Sequence, residues 1–193
     1  MSKIKYIAEL CQNHNGKEKY LDEMLDRCVN SGADYVKLQY IFSKNLAFRP
    51  IFENGLSKGK KILSIKRPYK IEFDRLKKIE LKNKVYEKFV IKCERFGVKP
   101  MITCFTRDSV NTLHNMGYKN IKVASYDCSS FKMIRELSKK FDNIIMSTGA
   151  TYLDEINKSC EILTKSKKKF SLLHCVTIYP TPLNRINLKK INF

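Results

Sequence analysis

The sequence is short of the features that would place the chain in a membrane, a secretory route or a metal scaffold. No apolar run approaches the roughly 20 residues needed to cross a bilayer. The opening Met1-Ser2-Lys3-Ile4-Lys5 has neither the apolar region nor the small-residue cleavage site of a signal peptide, so a cytoplasmic location is expected. The seven Cys are odd in number and no pair has the spacing of a zinc knuckle, so they read as small thiols of a reducing compartment. The three His (His14 and His174 among them) form no metal-ligand spacing. Acidic residues are scarce, 19 against 38 Lys and Arg, which leaves a formal charge of +19. That excess reads as a solvated Lys-rich surface, because no basic face interleaved with stacking aromatics stands out; nucleic acid and membrane are not expected partners.

What is present is a globular composition, 43% hydrophobic over 193 residues, enough for one sizeable core. Short apolar runs alternate with amphipathic segments. Strands are read at 4–10, 34–40, 99–104, 120–124, 143–146 and 170–175. Helices are read at 17–31, 81–96, 109–116 and 131–140, with another opened by a capping box at Thr151-x-x-Asp154. Residues 41–80, with Pro50, Gly55, Gly59 and Pro68, read as a long loop or insertion. Repeated strand–helix–strand units imply a parallel α/β sheet. No Gly-rich dinucleotide fingerprint follows the first strand. An open doubly wound sheet and most of a barrel both remain; a (β/α)8 TIM-type barrel takes about 250 residues, so as a barrel this chain would stop about two units short, after its sixth strand.

Two lysines stand out. Lys37, in Tyr35-Val36-Lys37-Leu38-Gln39, and Lys122, in Ile121-Lys122-Val123-Ala124, lie inside strands expected to be buried on both faces. A charge there is costly unless an anion meets it, so the pair suggests a phosphate or carboxylate held between them; snorkelling or ion-paired lysines are the alternative. Gln39 shares a face with Lys37 by the two-residue period. Glu9, near the end of the first strand, reads as a buried carboxylate that could pair with Lys37. Thr103 ends the third strand and could donate to an anion. Ser147-Thr148-Gly149-Ala150 offers hydroxyls and backbone N–H groups ahead of a helix. Asp127 could orient a hydroxyl, move a proton or cap the next helix. Tyr179, in Ile178-Tyr179-Pro180-Thr181-Pro182, could line a pocket or pack its loop.

Taken in order, these segments resemble the N-acetylneuraminate synthase family. Ala8-Glu9 with Asn13-His14-Asn15-Gly16 resembles its first-strand motif, as does Gly32-Ala33-Asp34 with Val36-Lys37-Leu38-Gln39. Ile121-Lys122-Val123-Ala124-Ser125, Ser147-Thr148-Gly149 and His174-Cys175 with Tyr179-Pro180-Thr181-Pro182 resemble its later motifs, and the matches span nearly the whole chain. The resemblance implies a barrel enzyme in which C3 of phosphoenolpyruvate attacks the aldehyde of an N-acetylated amino sugar, a divalent metal (manganese or magnesium) polarises that aldehyde, water adds at C2 and phosphate leaves. It implies that Lys37, Thr103, Lys122, Ser125 and Ser147 hold phosphoenolpyruvate, that Gln39, Asp127 and Tyr179 face the sugar, and that Glu9 is an acid at the base of the site. Glu9 and Asp127 are then the catalytic candidates.

The chain departs from the family pattern in places. Thr177, expected to contact phosphoenolpyruvate, stands where the family often has Asn or Ser, and Tyr126 where a small residue is frequent. The family's two metal-binding histidines come from later strands and have no counterpart before Phe193, so no metal ligand is assigned. The family's small C-terminal domain is likewise not represented. The expectation is an incomplete synthase domain over 1–193, inactive alone, with a family-type homodimer open only to a complete chain. Another barrel lyase or aldolase would need a reactive, desolvated lysine, for which Lys122 is the candidate. A non-catalytic basic binding protein would show steep salt dependence with nucleic acid.

Overall fold

The computed structural model describes residues 4–59, 61–178 and 180–192. Its centre is a six-stranded, all-parallel sheet. The strands are β1 (Ile7–Cys11), β2 (Tyr35–Tyr40), β5 (Lys99–Cys104), β6 (Asn120–Val123), β7 (Asn143–Ser147) and β8 (Lys169–Leu173). They lie side by side in chain order, each hydrogen-bonded to the next, with β1 and β8 at the edges. The order has no reversal, and so lacks the switch point of a doubly wound sheet.

The connecting helices are α1 (Glu18–Asn30), α4 (Asn83–Arg95), α5 (Ser109–Asn115), α6 (Phe131–Lys140) and α7 (Leu153–Lys165). Alternation along the strands divides the sheet into two faces. Val36, Leu38, Ile102, Ile121, Val123, Ile144 and Met146 point to the helices and meet Leu21, Phe89, Leu113, Leu137 and Leu163 in one buried cluster. Each such side chain taken fully out of water contributes about 1.5–3 kcal/mol. Met101 and Ile145 are also buried but stand outside this cluster, on the opposite face. That opposite face carries the polar strand residues.

Helix ends follow the sequence closely. Gly97, at φ 72, follows α4; its N–H donates to Glu94 O (3.1 Å) and that of Val98 to Cys93 O (3.0 Å), a Schellman cap. The start of α7 differs from the expected Thr151-x-x-Asp154 box. Helix α7 begins at Leu153, and Glu155 accepts the N–H of Tyr152 (3.0 Å). The Thr151 hydroxyl is instead committed to Gly149 O (3.1 Å) and Ser125 O (3.4 Å). Only the glutamate half of a box is made, one residue later than expected, while the loop carbonyls take the threonine hydroxyl.

The stretch 41–80 is not a structureless loop. It holds a short helix α2 (Pro50–Asn54), an antiparallel hairpin of β3 (Leu56–Lys58) and β4 (Lys61–Ser64), and an eleven-residue helix α3 (Tyr69–Ile79). Its only described buried apolar helix residue is Leu76, so the amphipathic signal is faint against the surrounding Lys and Arg. The segment is closed on itself at its ends and rests on the sheet's loops. Glu80 accepts the Ser43 N–H (2.6 Å), and the end of α3 rests on the β1–α1 loop at Gly16. A Cβ on Gly16, whose φ is +74, would stand 2.8 Å from the backbone oxygen of Lys78. Gly16→Ala is therefore expected to destabilise the chain by about 1–3 kcal/mol, read as a drop in urea midpoint with unchanged slope.

Candidate anion-binding site

The polar face is built by register. Gln39, Thr103 and Lys122 are in-register partners across β2, β5 and β6, and Glu9 pairs with Lys37 across β1 and β2. Lys37 is 6% exposed and Lys122 9%, as the strand reading expects. Lys37 donates to Thr103 Oγ1 (2.9 Å) and forms an ion pair with Glu9 Oε2. Lys122 donates to its neighbour's carbonyl, Val123 O (2.8 Å), and to Ser147 Oγ. The two ammonium groups are thus held by adjacent networks on one face, each with a hydroxyl beside it.

Glu9 differs from expectation in its burial. Its side chain is 44% exposed, because among the described residues β1 is an edge strand. The register shifts between Glu9 and Cys11, and Glu9 Oε1 accepts the Cys11 N–H (2.9 Å) across that irregularity, which turns the carboxylate toward Lys37.

Among the described residues Lys122 forms no ion pair with a carboxylate; its direct partners are a carbonyl and a hydroxyl. Burial, followed by repulsion from Lys37, brings its pKa down from 10.5 to about 8. A buried cation beside a second cation, held directly only by neutral groups, is an arrangement that an anion relieves.

A third cluster lies at the C-terminal ends of β6, β7 and β8. Ser125 Oγ accepts the Gly149 N–H (3.1 Å). A Cβ on Gly149 would fall 2.9 Å from Thr177 Cγ2, 3.0 Å from Ser125 Oγ and 3.1 Å from Cys175 Cβ. The absence of a side chain at 149 therefore lets Ser125, the Ser147 turn and Thr177 converge.

Other candidates stand apart. Asp127 is buried and accepts from Ser130 Oγ (3.4 Å); burial raises its pKa above 3.8. It lines a 340 Å³ cleft with Phe105, Thr106, Arg107 and Ser130, and no hydrogen bond or ion pair among the described residues joins it to either lysine. Tyr179 lies outside the described residues. His14 is a buried turn residue whose Nδ1 accepts the Gly16 N–H (3.1 Å), and burial lowers its pKa. His174 Nε2 contacts Ile186 O (2.8 Å). Among the described residues no three of His, Cys, Asp and Glu gather as a metal would need. They do not fit the divalent metal that the family resemblance implies.

Three contributors went unread in the sequence. Gln12 Nε2 donates to Gln39 Oε1 (3.2 Å), and Arg75 Nη1, from α3, donates to Gln12 Oε1 (2.9 Å). Arg49, from the same 41–80 stretch, stacks its guanidinium 4.3 Å from the centre of the Tyr126 ring, beside Asp127. Gln12 directly precedes the Asn13-His14-Asn15-Gly16 motif, which was a local hint; nothing in the sequence pointed to the arginines.

The family model described as NeuB family matches residues 24–193. The chain belongs to the NeuB family. Among NeuB-type relatives, the N,N'-diacetyllegionaminic acid synthase of Campylobacter jejuni is 30% identical over 98% of this chain and 56% of its own length. The human N-acetylneuraminate-9-phosphate synthase is 25% identical over 96% of this chain and 50% of its own. The chain thus spans about half the length of the curated relatives it matches. A solved NeuB-like neighbour, the N-acetylneuraminic acid synthetase of Leptospira borgpetersenii in complex with citrate, superposes with a TM-score of 0.84 at 23% identity. It covers 99% of this chain and 60% of that one. That likeness carries the fold.

Proposed function

We propose that this chain carries the phosphoenolpyruvate-binding half of a nonulosonate synthase, an enzyme that condenses phosphoenolpyruvate with an N-acetylated amino-sugar aldehyde such as N-acetylmannosamine or a bacterial relative. The observation that carries the reading is the pair of buried lysines, one with no carboxylate ion pair among the described residues, backed by Thr103, Ser147 and Ser125 on one sheet face. Family membership and the names of the relatives supply the reaction class. The sequential parallel strands support a further part of the proposal, that they are the first six of a (β/α)8 barrel whose interior is this polar face.

In this reading Lys37 and Lys122 neutralise the carboxylate and phosphate of phosphoenolpyruvate, and Thr103, Ser125, Ser147 and Thr177 donate to their oxygens. Fixed donors of this kind stabilise charge that develops as C3 attacks the aldehyde, without reorganising. Glu9 holds Lys37 in place. Asp127 and Gln39 face the sugar. With its pKa raised by burial, Asp127 is suited to hold or move a proton at a sugar hydroxyl. No step is assigned to a metal. Among the described residues no helix is long and apolar enough to cross a membrane, and free thiols at Cys93, Cys104 and Cys128 suit the reducing cytoplasm proposed as its location.

The test is calorimetric titration with phosphoenolpyruvate. The wild type is expected to bind, and Lys37→Ala and Lys122→Ala are each expected to weaken binding by roughly 100-fold, since removing one member of a buried charge contact costs about 3 kcal/mol. Wild-type affinity in both variants would overturn the proposal. The lowered pKa of Lys122 also favours a Schiff-base aldolase. Borohydride trapping of a keto substrate on Lys122 would support that second reading and count against the first.

A further inference from the structure

We propose that Arg75, acting through Gln12, fixes the side-chain amide of Gln39 so that its NH2 group rather than its carbonyl faces the substrate. The inference rests on the proposed function for what lies in front of Gln39; the orientation itself rests on hydrogen bonding alone. A guanidinium has donors only. Arg75 is gripped by the carboxylate of Glu72, with Nε to Oε2 (2.9 Å) and Nη2 to Oε1 (2.8 Å). The remaining Nη1 donates to Gln12, so the atom of Gln12 that receives it is oxygen. The nitrogen of Gln12 is then turned the other way, 3.2 Å from Gln39. A donor there calls for an acceptor, so Gln39 presents its Oε1 to Gln12. The opposite orientation would set two NH2 groups against each other.

The Nε2 of Gln39 makes no hydrogen bond among the described residues. It stands in register with Thr103, and Thr103 with Lys122. Position 39 therefore offers a donor beside the lysine pair and selects for an acceptor oxygen on the second substrate, the carbonyl of an acetamido group or a hydroxyl lone pair. Arg75 and Gln12 are positioning residues. They tie substrate selection to helix α3, an element of the 41–80 excursion that otherwise stands outside the sheet.

Gln12→Glu tests the relay. The new carboxylate still satisfies Arg75 but can only accept from Gln39, so Gln39 must rotate, donate its NH2 to Glu and turn its carbonyl to the substrate. The readout is nitrogen-15 NMR of the side-chain amides, with Gln39 assigned by loss of its signals in Gln39→Met. In the wild type the Gln12 NH2 is expected to be protected from water exchange and the Gln39 NH2 to exchange freely; in Gln12→Glu the Gln39 NH2 becomes protected. Arg75→Met, at an exposed position, should release the Gln12 amide and abolish its protection. Affinity for N-acetylmannosamine, a neutral probe, measured on the chain saturated with phosphoenolpyruvate, is expected to fall at least about tenfold in Gln12→Glu.

A Gln39 amide already protected in the wild type, or unchanged by Gln12→Glu, overturns the inference. So does a wild-type chain that binds phosphoenolpyruvate but takes N-acetylmannosamine no better than Gln12→Glu does. Failure of the wild type to bind phosphoenolpyruvate at all counts against the proposed function instead, and leaves the NMR result to decide the relay.

Discussion

Lys122→Met is expected to make the chain more stable and unable to bind phosphoenolpyruvate. The two effects have one origin. Burial and the nearby Lys37 hold the pKa of Lys122 at about 8 rather than 10.5, a shift worth about 3 kcal/mol against the charged form. Met removes the charge and fills much the same volume. It also gives up the donations to Val123 O and Ser147, so the net gain is expected nearer about 1–2 kcal/mol, seen as a higher melting temperature. Unchanged or lower stability would mean that the buried charge is already compensated.

The same shift fixes the sign of the pH dependence. Between about pH 8 and 10.5 the unfolded chain binds the proton that folded Lys122 has released, so this group makes stability rise with pH across that window. Anion affinity runs the other way. Only the ammonium form attracts phosphoenolpyruvate, so affinity should be flat below about pH 8 and fall about tenfold per unit above it. Urea stability measured from pH 7 to 9.5 on the wild type and on Lys122→Met separates this contribution from any other titrating group, and phosphoenolpyruvate titrations of the wild type over the same range read the fall in affinity.

Gly149→Ala is the second large effect. The new methyl would meet Thr177, Ser125 and Cys175 at 2.9–3.1 Å, contacts from three different residues. Thr177 is exposed and can move, but Ser125 can retreat only by losing the Gly149 N–H. Overpacking of this kind costs about 1–3 kcal/mol. The damage is expected to concentrate at the ends of β6, β7 and β8, so phosphoenolpyruvate affinity should fall by roughly tenfold or more while the circular dichroism of the chain is unchanged. Wild-type affinity in Gly149→Ala would remove Ser125 and Thr177 from the site.

How much of this was legible in the sequence depended on the range of the interaction. Alternating apolar runs are local, and the six main strands lie within a few residues of their expected positions. Lys37 and Lys122 were legible because a charge inside a parallel strand is an anomaly wherever the strand sits. The openness of Glu9 was not, because it depends on β1 being an edge. The α7 cap slipped by one residue because the Thr151 hydroxyl found carbonyls in its own loop and across it, at Gly149 and Ser125. Helix α3 was hidden by a basic surface over a single described buried leucine. The chain from Glu72 through Arg75 and Gln12 to Gln39 was beyond reach, since Arg75 and Gln12 are 63 residues apart and neither has an unusual local setting.

In the proposed function, two buried lysines on neighbouring networks share one small anion. A crystal structure of the chain soaked with phosphoenolpyruvate tests it most directly. Ligand oxygens are expected within about 3 Å of both Lys37 Nζ and Lys122 Nζ, with Thr103 and Ser147 turned to donate. Phosphoenolpyruvate found only among surface lysines, with the Lys37–Glu9 pair and the Lys122–Ser147 contact undisturbed, would contradict it.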